Sequence, residues 1–104
     1  MAVDFEAVKQ ISIDYANEVR SKLPVDKVVL FGSYANGTAT ELSDVDIAFF
    51  FRDYDGKTRF DIGLQLLKFC REYKAYFEPL VFETTEIERG NPFVKEILRT
   101  GQEL

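Results

Sequence analysis

The sequence predicts an α/β (α+β) fold, a small mixed sheet of about three to four strands flanked by helices, in a single domain covering residues 1–104. Three observations carry that expectation. Short apolar runs rich in β-branched and aromatic residues alternate with amphipathic stretches of helical period. Glycine, proline and cap-type residues punctuate the boundaries between them. A chain of 104 residues also has room for one hydrophobic core, since a second would need roughly 50 further residues.

From Asp4 to Leu23 the apolar residues Phe5, Val8, Ile11, Tyr15, Val19 and Leu23 recur every three or four positions, the stripe of an amphipathic helix that Pro24 then ends. Val28-Val29-Leu30-Phe31, stopped by Gly32, reads as a buried strand. Gly32 to Gly37 (GSYANG) suits a short helix that begins near Ser33 and stops at Gly37. Val45 to Phe51 (VDIAFFF) is almost wholly apolar, as befits a central strand covered on both faces, and its one charge, Asp46, requires an explanation. Asp53 to Lys57 has turn composition. Thr58 can then cap a helix whose stripe is Phe60, Leu64, Leu67, Cys70 and Tyr73, running to about Lys74. Tyr76 to Glu83 resumes strand character, with Pro79 pointing to an edge strand or its mouth. A last helix from Pro92 to Thr100 has Pro92 at its start and Gly101 just past its end. The helix between the second and third strands makes that pair a parallel, right-handed crossover unit.

Thirteen basic against eighteen acidic residues give a net charge of -5, the wrong sign for holding duplex nucleic acid through its phosphates. A single cysteine and no histidine remove internal disulfides, cysteine-clustered zinc, Ser-His-Asp and Cys-His catalysis and histidine general bases. Carboxylate, lysine, tyrosine and hard-metal chemistry are left. The N-terminus (MAVDFEAVKQ) has no signal-type apolar core, and no 18-residue apolar run occurs anywhere, so a cytoplasmic protein without membrane contact is expected.

Two features carry chemistry. Asp44 and Asp46, two residues apart, would project from one face of a strand with side chains roughly 7 Å apart along it, and magnesium needs only two or three such carboxylates beside substrate phosphates. The alternative is a turn cap at Asp44 and a solvent-facing Asp46. Gly32-Ser33 is a strand-to-helix turn where a phosphate could approach the backbone, or a turn that merely caps a helix. Cys70 and Phe49-Phe50-Phe51 read as core, and Lys27, Arg52, Lys57 and Arg59 as scattered surface cations.

Together these features lie in Leu30 to Phe50 (LFGSYANGTATELSDVDIAFF), which resembles the signature of the polymerase-beta-like nucleotidyltransferase superfamily, a Gly-Ser turn ahead of a Ser-Asp-x-Asp strand. Gly37, Thr38, Ser43, Asp44 and Asp46 fall at the spacings of its small stand-alone members, the minimal nucleotidyltransferases, and Asn91-Pro92-Phe93 through Gly101 is similar to their closing helix. Asn36 stands where many relatives have arginine, and Glu78 where many have aspartate. The resemblance implies the nucleotidyltransferase fold, with Glu78 as third carboxylate and Glu83 as the fallback. A parallel second and third strand would independently bring Glu78 level with Asp44 and Asp46. It further implies two magnesium ions bridging Asp44, Asp46 and Glu78 to ATP or another nucleoside triphosphate, with Gly32, Ser33 and Ser43 on the nucleotide. The implied reaction moves a nucleoside monophosphate, AMP above all, onto a hydroxyl acceptor. The implied partner is a helical HEPN-type protein, for which this chain would act as antitoxin, or a second copy in a homodimer. The rival expectation is a catalytically weak nucleotide-binding subunit that regulates a partner by contact.

Overall fold

The computed structural model describes residues 4–40 and 42–104; residues 1–3 of the N-terminal stretch and position 41 of the motif segment lie outside them. The elements are α1 (Phe5–Lys22), β1 (Val25–Phe31), α2 (Ser33–Asn36), β2 (Val45–Phe51), α3 (Arg59–Cys70), β3 (Phe77–Glu83), α4 (Thr85–Glu88), α5 (Pro92–Thr100) and β4 (Gln102–Glu103). The strands form one four-stranded sheet in the order β3-β2-β1-β4. β2 and β3 run parallel, while β1 is antiparallel to both β2 and β4, so the sheet is mixed as expected.

Alternation along β2 divides the core into two layers. Ile47, Phe49 and Phe51 face α1 and α3, where they meet Tyr15, Val19, Ile62 and Leu66. Ala48 and Phe50 face the other way, toward Phe82 and the Val94 and Ile97 side chains of α5. Because both faces of β2 are covered, its sequence is nearly continuous apolar rather than alternating. The α1–α3 layer is pinned by specific contacts. Tyr15 donates its hydroxyl to the Leu66 carbonyl at 2.7 Å, joining α1 to α3, and stacks edge-on against Phe49. Helix starts follow local chemistry: Asp4 accepts from the Ala7 N–H, Thr58 forms a reciprocal capping box with Asp61, and Asn91 accepts from Phe93 and Val94 N–H. Among the described residues no helix is long and apolar enough to cross a membrane.

Four features differ from the sequence expectation. β1 begins at Val25 rather than Val28, because a register shift between Val25 and Lys27 interrupts the alternation that marks a strand. α3 ends at Cys70 rather than Lys74; Arg71 to Ala75 form turns that return the chain to the head of β3. Tyr73 leaves the helix to pack on Tyr15 and Phe77 and to donate its hydroxyl to Glu18 at 2.6 Å. The first three residues of the stripe expected to bury α3, Phe60, Leu64 and Leu67, are exposed while Ile62 and Leu66 are buried, whereas Cys70 and Tyr73 of that stripe do pack against the core. α3 is apolar on two sides, and periodicity alone cannot tell which side turns inward. Finally, α4 and β4 are additional, each too short to leave a periodic trace.

Candidate active site

β1, β2 and β3 present one row of side chains where β1 ends and its neighbours begin: Phe31 pairs with Asp46, and Asp46 with Glu78. Parallel pairing in register puts the two acids side by side on the α5 face of the sheet. Of the expectation that Glu78 arrives level with Asp44 and Asp46, the Asp46 half is met. Glu78 is exposed and Asp46 half-buried, so the pair opens to solvent on one side.

Asp44 does not lie on the strand. It precedes β2, exposed, with Ser43 before it, and Val45 is the first residue of the ladder. The Val45 N–H donates to the Tyr76 carbonyl at 2.8 Å, anchoring this mouth where β2 and β3 begin. The Ser43 hydroxyl accepts from the Thr40 N–H at 2.9 Å, so its position in the structure is that of a loop-closing group.

Gly32 explains why a strand ends in this turn. Its φ of 73° and ψ of -151° lie in a region that essentially only glycine occupies. A Cβ there would overlap Asp46 Oδ2, so the missing side chain is the space the carboxylate uses. Ser33 opens α2, whose first N–H groups have no intrahelical acceptor, and the Ser33 carbonyl accepts from Thr38 and Ala39 N–H to close the loop at Gly37. Gln102 of β4 donates its side-chain amide to the Ala35 carbonyl at 3.0 Å, clamping α2 from the edge of the sheet. No sequence signal marks this support.

The Asp46 carboxyl is pushed up to about 6. Burial is the largest cause, followed by the charge of Glu78, a hydrogen bond with Glu78, and the charge of Asp44. Placing negative charges together in a half-buried site is unfavourable unless something positive joins them. Among the described residues no three acidic, cysteine or histidine side chains stand preassembled as a metal cluster. The pair in register is Asp46 and Glu78, and the charge of Asp44, just ahead of β2, is also felt at Asp46. Hard oxygen donors on adjacent strands beside a side-chain-free glycine fit magnesium, which needs one or two protein carboxylates and completes its shell with water and phosphate oxygens.

A sheet of this kind, with an acidic pair beside a Gly-Ser turn, is the scaffold of enzymes that handle nucleoside triphosphates. Residues 13–101 match the family model of the nucleotidyltransferase domain, and the chain belongs to that family, in its minimal form. It is therefore a transferase whose substrate is a nucleoside triphosphate. Two proteins of Methanocaldococcus jannaschii, provisionally named protein adenylyltransferases, are similar to it. One is 32% identical over 89 residues, covering 86% of this chain and 85% of the relative; the other is 28% identical over 100 residues, covering 95% and 96%. The crystal structure of a provisionally named nucleotidyltransferase from Sulfolobus solfataricus superposes with a TM-score of 0.62 at 27% identity, covering 77% of this chain and 70% of the other.

Proposed function

We propose that the protein transfers AMP from ATP, with magnesium, onto a hydroxyl acceptor, and that Asp44, Asp46 and Glu78 hold the metal while Gly32, Ser33 and Ser43 border the triphosphate. The observation that carries this reading is the register of Asp46 with Glu78 beside Gly32. The two Methanocaldococcus relatives, by their names, support adenylyl as the group moved and a protein as the acceptor.

The residues of the chain then have distinct tasks. The Gly32-Ser33 turn brings backbone N–H groups toward the outer phosphates without a side chain in the way. Asp46, on the central strand, fixes the position of the reacting phosphate relative to the sheet, and exposed Asp44, just ahead of that strand, completes the ligand set. Glu78, the more open of the matched pair, takes the acceptor proton as the hydroxyl oxygen bonds to the α-phosphorus and the bond to the pyrophosphate leaving group breaks. Magnesium, when bound as one or two ions, neutralises the charge that develops on the phosphate oxygens. The acceptor is contributed by a partner, either a helical HEPN-type protein or a second copy, since a chain of 104 residues has room for little beyond the catalytic domain itself.

The test is incubation with magnesium and ATP labelled on its α-phosphate, with and without candidate partner proteins. Label on an acceptor, lost in Asp46→Ala, is the expected result. Magnesium-dependent nucleotide binding with no transfer to any acceptor would favour a regulatory nucleotide-binding subunit instead.

A further inference from the structure

The α3 helix is apolar on two sides, and the core uses one. Ile62 and Leu66 are fully buried, yet Phe60, Leu64 and Leu67 on the outward side are 73%, 47% and 45% exposed. Contiguous exposed apolar side chains mark contact surfaces. Leu64 and Leu67 line a depression of about 600 Å³ whose polar members are Lys57, Asp61, Gln65, Lys68 and Arg71, three cations against one acid. That excess is the reverse of the chain as a whole, which carries a net charge of -5.

The chain itself leaves these cations unused. Among the described residues none of Lys57, Lys68 and Arg71 takes part in an ion pair. Asp61, the one acid, is already engaged, accepting from the Thr58 N–H at 3.0 Å as part of the α3 capping box. Glu72 follows in the chain, but its charge is felt at Lys22 of α1 and at Tyr73. Lys57 also borders an adjoining hollow with Arg52, Asp53 and Glu83, where two cations meet two acids. The excess is therefore seated at Lys68 and Arg71. At 100° per residue Leu64, Lys68 and Arg71 fall within about 60° of one another, with Phe60 and Leu67 along one side. The outward face is an apolar strip that ends on two cations with no carboxylate to meet them among the described residues.

We propose that this face docks an acidic amphipathic helix of a different protein, with apolar side chains over Phe60, Leu64 and Leu67 and carboxylates on Lys68, Arg71 and Lys57. Charge decides the occupant. The 12 residues of α3 offer about 18 Å of length, on which three turns of a partner helix can lie. Arg71 presents a planar fork that can hold a carboxylate through two parallel N–H bonds. A second copy of this face would set the excess of cations against itself. Nucleic acid, the other polyanion, would meet a chain of net charge -5 and leucines that offer no stacking plane. A bilayer calls for apolar side chains on a protruding face, whereas Leu64 and Leu67 line a hollow. α3 and the Asp46–Glu78 row lie on opposite faces of the sheet, so a docked helix leaves the acidic site open. Docking does not rest on nucleotidyl transfer, and the two fail separately.

The probe is a synthetic helical peptide of about 20 residues with leucines at i, i+3, i+4 and i+7 and glutamates on both flanks; its control carries lysines in place of the glutamates. Titrated into the nitrogen-15-labelled chain, the glutamate peptide should move the amide signals of residues 57–71 and leave those of Asp46 and Glu78 in place. The lysine peptide should bind about tenfold or more weakly, and Lys68→Glu with Arg71→Glu should invert that preference. Leu64→Ser should weaken the glutamate peptide about tenfold with a nearly unchanged thermal melt, because Leu64 lies outside the buried core. Asp46→Ala should bind the glutamate peptide as the wild type does, even where nucleotidyl transfer is lost. The two peptides bound alike, or no signal moved along α3, overturns the proposal. Retention on phosphatidylserine vesicles or on single-stranded RNA, with no response to the glutamate peptide, overturns it as well.

Discussion

Gly32→Ala tests the turn on which the site depends. With φ at 73° and ψ at -151°, an alanine must occupy a conformation costing about 1–3 kcal/mol, and its Cβ would overlap Asp46 Oδ2. Taking about 2 kcal/mol, and about 4–8 °C per kcal/mol for a domain of this size, the melting temperature should fall by roughly 8–16 °C. The carboxylate must also move by about 1 Å, which is enough to lower nucleotidyl transfer on the order of 100-fold. Gly37→Ala is the control. Its φ of 82° is strained for alanine too, but nothing lies within 4 Å of the added Cβ. It should lose about 1 kcal/mol and keep most of its transfer activity. Differential scanning calorimetry and α-labelled ATP turnover read the two quantities. A Gly32→Ala protein that melts like wild type, or that transfers as well as Gly37→Ala, would refute the packing of Asp46 into the space at Gly32.

Leu66→Ala should destabilise by about 2–5 kcal/mol and its neighbour Leu67→Ala by less than about 1 kcal/mol, measured by urea denaturation; comparable losses would contradict the orientation of α3. Magnesium with ATP should raise the melting temperature, by about 2.7 kcal/mol of added stability at 100 times the dissociation constant, and Asp46→Asn should abolish most of the rise while slightly stabilising the free protein, because it removes a carboxylate crowded by Glu78. Stability should be flat through neutral pH and fall above about pH 10. Burial raises the Tyr15 hydroxyl above its ordinary 10.0, and burial with the Glu18 contact raises Tyr73, so both are bound neutral in the folded state and ionise more readily when unfolded. The stability they contribute is present below the unfolded value and lost as pH rises past it. Tyr15→Phe should lower stability at neutral pH by about 1 kcal/mol and flatten the alkaline decline, seen in melts between pH 8 and 11.

What the sequence made legible follows from which signals are local. The stripe from Phe5 to Leu23, closed by Pro24, located α1 to within a residue at each end, because a long amphipathic period repeats its message. Pro79 correctly marked β3 as an edge strand, and the apolar run from Ile47 to Phe51 correctly marked β2 as central. The outward face of α3 was misassigned because a helix with two apolar sides gives two valid stripes, and only the sheet decides between them. Of the acidic residues, the pairing of Asp46 with Glu78 was inferable from a parallel crossover, whereas the loop position of Asp44 depends on where the β2 ladder begins. Gln102, which steadies α2 from a two-residue strand, could be recognised only in three dimensions.

The central claim is that Asp46 and Glu78 form one cation-dependent nucleotide site. The most direct measurement is a crystal structure with manganese and a non-hydrolysable ATP analogue, with the metal located by its anomalous signal. Metal is expected within ordinary coordination distance, about 2.0–2.2 Å, of a carboxylate oxygen from both residues, with the analogue's outer phosphates against the Gly32-Ser33 turn. Metal bound without either carboxylate, or the analogue seated away from that turn, would contradict it.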